Sequence, residues 1–200
     1  YDGLRKTVNI TADVLGGKAP EIAKQYIAYL DGKIKFAEDK TKAISDADRP
    51  SVLHIVGGDN LLKVDGHKTI IDEWIRYAGG KNAITADGPQ ITVTIEEIVK
   101  ANPDIIIIGG TQSRKGIEQL MNDPQWASLK AVQNGRVYSN PVGTFNWDRY
   151  SAESALQILW AGQMIQPELF SDVNLVKETQ EFYKTFLHYD LSIDDAQCII

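Results

Sequence analysis

The chain has 200 residues, 43% hydrophobic and 24% charged, a balance that suits a globular protein with a real core. Its formal net charge of −6, from 27 acids against 21 bases, argues against general nucleic-acid binding, which relies on basic surface. A single cysteine, Cys198, excludes an intramolecular disulfide framework and a multi-cysteine metal site, and no apolar run approaches the ~20 residues of a membrane span.

The first 45 residues read as helix. "DGLRKTVNITADVLGG" places Leu4, Val8, Ala12 and Leu15 at three- and four-residue spacing, with Gly16 and Gly17 as the stop. "APEIAKQYIAYLDGKIKFAEDKTKAIS" continues the pattern through Ile22, Tyr26, Leu30, Ala37, Thr41 and Ile44, predicting a long helix over 19–45 with Pro20 in its first turn. Gly32, in its middle, marks a possible bend. From Pro50 the period changes. "SVLHIVGG" (51–58) reads as a strand ended by glycines, and "HKTIIDEWIRYAGG" (67–80) returns to helical spacing with Gly79 as its stop. "TIEEIVKANP" (94–103) opens on Thr94 as N-cap, with Glu97 completing a capping box and Asn102–Pro103 ending the turn. "DIIIIGG" (104–110) has four isoleucines without alternation, the mark of a strand buried on both faces. Two short helices, "SRKGIEQLMND" and "PQWASLKAVQ", lead to a third strand, "GRVYS" (135–139). A helix over "SAESALQILWAGQMI", with Ser151 as N-cap, and a last amphipathic helix over 171–190 complete the chain.

Strands alternating with helices predict an α/β fold: a three-layer, Rossmann-like lobe (50–200) with a mainly parallel sheet, preceded by a long linking helix. Ligands of such sheets sit beyond the carboxyl ends of the strands. Three segments follow those ends: Gly57–Asn60, Gly109–Arg114 and Asn140–Tyr150. The third, "NPVGTFNWDRY", is too aromatic and too charged for a mere connection. Phe145 either seals the sheet or meets ligand, and Trp147 is expected to be exposed to ligand. Arg149 suits an anionic or planar ligand, or pairs with Asp148 or Glu153. Glu153 either complements the dipole of the following helix or meets a basic partner.

Enzyme signatures are absent from the sequence: there is no G-x-S-x-G elbow, H-E-x-x-H, C-x-x-C or G-x-x-x-x-G-K-[ST]. "VGGDN" and "IGGTQ" follow strands but lack the spaced glycines of a dinucleotide fingerprint, so a nucleotide-binding enzyme or sensor domain stands as the alternative reading. A structural domain using the same loop for a protein partner is a further one. His54 lies inside a strand and reads as a packed residue, His67 follows a turn, and His188 reads as surface. No two of them stand at metal-ligand spacing.

The order of motifs resembles the periplasmic-binding-protein family of iron-siderophore, haem and vitamin B12 ABC importers. The carrying segments are "AGGKNA", "TIEEIVKANPDIIIIGG" and "DPQWASLKAVQNGRVYSNPVGTFNWDRYSAESALQILWAGQMIQPELF". The resemblance implies a non-enzymatic substrate-binding protein, monomeric and without covalent cofactor. It would capture a ferric siderophore or haem-like metal chelate and deliver it to an ABC permease and its ATPase. It implies a periplasmic or extracytoplasmic location, with or without a lipid anchor. It also implies an interlobe helix at 19–45, a C-terminal lobe from 50 onward, and an N-terminal lobe and secretion signal lying outside this chain. The ligand-facing positions carried over are Gly58, Asp59 and Asn60, then Thr111 and Gln112, then Phe145, Trp147 and Arg149. Glu153 is carried over as the carboxylate that docks on the permease.

Overall fold

The computed structural model describes all 200 residues. The two leading helices form as the spacing predicts, α1 at Asp2–Leu15 and α2 at Ala19–Thr41, with Gly16 and Gly17 between them at positive φ. α2 buries Ala23, Tyr26, Leu30, Ile34, Ala37 and Thr41, three or four residues apart along one stripe. Gly32 does not interrupt it, and α2 ends four residues before the predicted 45. Its 23 residues span roughly 35 Å at 1.5 Å per residue.

The sheet is built around β1 (Ser51–Ile55), β5 (Ile105–Ile108) and β6 (Val137–Ser139), all parallel, in the order β1-β5-β6. Three two-residue strands extend it: β2 (Lys63–Val64) and β4 (Ile91–Thr92) form an antiparallel edge beyond β1, and β3 (Lys81–Asn82) runs parallel to the start of β1. The apolar strands have two buried faces. Val52, Ile105 and Ile107 join the larger core, under α1, α2, α3 (Ile70–Tyr77) and the C-terminal helices. Leu53, Ile55, Ile106 and Ile108 join the smaller one, against α4 (Ile95–Ala101), α5 (Ser113–Asn122) and α6 (Lys130–Gln133). Sheet alternation thus yields the three layers.

Local chemistry sets the element ends. Thr94 and Glu97 form the expected capping box on α4, and Gly79 stands at φ 84° after α3. α7 (Ser154–Ile165) is buried almost all round because it packs against α2, α3 and α8 (Leu175–Phe182). It starts three residues after Ser151, whose hydroxyl caps nothing, so the expected N-cap is corrected: Glu153 holds that position. α8 runs on as a wider π turn over Tyr183–Leu187, and a short α9 (Ile193–Ile199), capped by Ser192, was not foreseen. No helix is long and apolar enough to cross a membrane.

Candidate functional site

The carboxyl ends of β1, β5 and β6 lie side by side in the sheet, so the turns that follow share one edge. The first two are in direct contact. A Cβ on Gly58 would stand 2.0 Å from the Gln112 carbonyl oxygen and 2.8 Å from the Gly116 nitrogen, so only glycine permits this approach. Gly58 is therefore spent on packing and is buried, which corrects its expected role as a ligand contact. Asp59, Asn60, Thr111 and Gln112 are exposed.

They do not all face one space. Thr111 lines a cavity of about 360 Å³ together with Ser113, Arg114, Ser139, Asn140 and Val142, and Cys198 on α9 also lines it. Asp59 and Asn60 line a separate hollow of about 280 Å³ beside α5, with Gln119 and Trp126. Asn60 is also committed to its own turn, its Oδ1 accepting from the Leu62 amide at 3.1 Å.

The loop after β6 is folded over its own carboxylate. The Gly143 amide donates to the Phe145 carbonyl and the Trp147 amide to the Pro141 carbonyl, closing a small lariat. Glu153 turns back beneath it and accepts from the amides of Thr144 (3.1 Å) and Phe145 (3.0 Å), the Thr144 hydroxyl (2.6 Å) and the Tyr183 hydroxyl. Burial, followed by the neighbouring Glu153, raises the Tyr183 pKa well above its ordinary value. Glu153 is 1% exposed. A carboxylate so enclosed cannot meet arginines on another protein, so its expected docking role is corrected: it organises the loop.

The lariat also decides its aromatics. Trp147 is fully buried in the larger core, correcting the expectation that it meets ligand; its ring seals the sheet beneath α7. Phe145 is 55% exposed at the tip, and Tyr150, not singled out as a contact, is 66% exposed. Phe145 and Tyr150 are thus the two large rings this loop leaves exposed.

Arg149 pairs with Asp148, as the alternative reading had it, and with two more groups. Its Nε stands 3.6 Å from Asp148 Oδ1, its Nη1 3.4 Å from Asp65 Oδ2, and its Nη2 donates to the Val56 carbonyl at 3.0 Å. Behind it lies His54, fully buried as expected, with Nδ1 2.9 Å from Asp65 and Nε2 2.9 Å from Asp148. Burial, the largest influence, opposes the charged ring, but hydrogen bonds and charges from Asp148 and Asp65 outweigh it and hold the His54 pKa above 6.5. Burial likewise disfavours ionised Asp65. The His54 hydrogen bond and charge, the Gln90 amide and Arg149 override it and keep that carboxyl below its usual range. The network ties the turn after β1 to Asp65 and to the loop after β6. Nothing in the sequence marks Asp65, because its charged partners, His54 and Arg149, lie 11 and 84 positions away.

Residues 2–142 match the family described as periplasmic binding protein. This chain belongs to that family. Among relatives, the molybdate-binding protein MolA of Haemophilus influenzae is 26% identical over 98% of this chain and 54% of its own length. The Fe(3+)-citrate-binding protein YfmC of Bacillus subtilis is 29% identical over 64% of this chain and 42% of its own. A periplasmic solute binding protein from Veillonella parvula superposes with a TM-score of 0.83 at 29% identity, covering 98% of this chain and 59% of that one. The chain therefore spans about half the length of the periplasmic binding proteins it matches.

Proposed function

We propose that this chain carries the ligand-binding lobe of the substrate-binding component of an ABC importer. It captures a metal chelate outside the cytoplasmic membrane, in the periplasm or on a lipid anchor, as a monomer. It hands the chelate unaltered to a permease powered by a separate ATPase. The cargo is a ferric siderophore or haem-like complex, held non-covalently. α2, continuous over 23 residues, is the stiff link to the rest of the clamp.

One observation carries this reading: Arg149, Arg114 and the exposed rings of Phe145 and Tyr150 are all presented at the carboxyl edge of a single sheet. Guanidinium groups match the oxygen donors of an anionic chelate, and flat rings match its organic periphery. Of the two named relatives, the one that binds Fe(3+)-citrate fits this chemistry. Ligand-facing positions under this reading are Thr111, Gln112, Arg114, Phe145 and Arg149, with Asp59 and Asn60 at the rim.

Titration of the protein with ferric citrate, haem, molybdate, ATP and NAD tests it. Saturable binding of an iron complex is expected, weakened roughly tenfold by Arg114→Gln, which removes an exposed charge-assisted contact. Binding of molybdate alone would replace the iron chelate with an oxyanion. Binding of ATP or NAD and of no metal complex would favour a nucleotide-binding domain and end this proposal.

A further inference from the structure

β1 is apolar and buried except at its first residue and at His54, an ionisable ring in the middle of a core strand. Its two nitrogens each meet a carboxylate oxygen. Two carboxylates within hydrogen-bond distance of its two nitrogens favour the imidazolium, which donates from both, in keeping with its raised pKa. In that state the group, with Arg149, holds two cations against two carboxylates and is neutral as a whole. Neutrality matters in a site that water does not reach, because an unmatched buried charge is far costlier than a matched one.

The two cations do not sit alike. His54 is wholly inside, whereas the Arg149 side chain is 21% exposed and its contacts to the two carboxylates are long, 3.4 and 3.6 Å. We propose that His54 is the positioning residue of the binding edge: by supplying the inner positive charge between Asp65 and Asp148, it leaves the outer N–H groups of Arg149 available to an anionic oxygen of the ligand. This rests on the reading of that edge as the ligand site. Without the inner charge, one guanidinium would have to satisfy two buried carboxylates. It would be drawn inward, and its bond to the Val56 carbonyl, which joins the turn after β1 to the loop after β6, would be lost.

The charged or titratable groups facing His54 are Asp65, beyond β2, and Asp148, before α7, with Arg149 behind both. α3 presents the Trp74 ring, set nearly perpendicular to the imidazole, and the turn after β5 presents the backbone of Gly109. Ligand affinity should therefore hold steady while the ring is charged and fall as pH rises through its deprotonation.

The test uses ferric citrate as probe and titration calorimetry across the neutral and alkaline range. The wild-type Kd is expected to rise as His54 loses its proton, and nitrogen-15 NMR of the unsubstituted protein is expected to show both ring nitrogens protonated at neutral pH. His54→Gln should weaken binding roughly tenfold or more, and adding Asp148→Asn, which restores neutrality, should recover most of the loss. A purely structural role would lower Tm with neither the pH profile nor the rescue. A neutral His54 ring at neutral pH, or wild-type affinity in folded His54→Gln, would overturn the proposal while leaving the ligand edge intact. If His54→Gln does not fold, the NMR state and the wild-type pH profile decide. Failure of the unsubstituted protein to bind ferric citrate or any other metal complex would remove the ligand reading and this proposal together.

Discussion

His54→Ala is expected to lower stability by roughly 3–5 kcal/mol at neutral pH, because it leaves two buried carboxylates with one partial counter-charge. For a chain of 200 residues that corresponds to a fall in Tm on the order of 6–20 °C. The pH dependence distinguishes this from simple loss of packing. With its pKa raised, His54 contributes fully below its ordinary value, and that contribution is lost as pH rises through the raised one. With its pKa lowered, Asp65 contributes above the ordinary carboxylate value, and that contribution is lost as pH falls through the lowered one. The wild-type network thus stabilises a middle window. The gap between wild type and His54→Ala should therefore be widest in that window, closing as pH rises through the raised His54 value and as it falls through the lowered Asp65 value. Thermal melts at a series of pH values check this, and an offset independent of pH would contradict it.

Glu153→Ala is expected to cost about 1–3 kcal/mol, because it strips the acceptor from the buried Tyr183 hydroxyl, while the Thr144 and Phe145 donors it also releases lie on exposed residues that water can reach. Tyr183 is 5% exposed and has little access to replacement water. Glu153→Gln keeps the shape and one good acceptor, so it should fall between Ala and wild type. Denaturant titration ranks the three. An exposed docking carboxylate would give the opposite result, near-wild-type stability in both variants.

β5 was legible because an unbroken apolar run has few other uses, β1 as a short β-branched run ended by glycines, and the helices because their buried stripes repeat every three or four residues. The strands β2, β3 and β4 were not, since two residues carry no period and owe their state to the neighbour they pair with. α9 had a readable start in Ser192 and Asp195 but is only seven residues long. The edge of the sheet was legible as the place for a ligand, since that follows from topology alone. Which side chains reach it was not. Residues 140–153 have no periodicity, so composition could not tell an inward Trp147 from an outward Phe145, nor foresee that Glu153 would fold back to hold the loop. His54 was legible as buried, but its meaning lay in Asp65 and Asp148, brought to it by β2 and by the loop after β6.

Hydrogen exchange of the protein with and without bound ferric citrate tests the placement of the site most directly. Slowed exchange is expected to be confined to amides of residues 57–60, 109–116 and 142–150, with no change along α2 or α8. Slowing along those helices, or slowing that spares all three turns at the sheet edge, would contradict this placement.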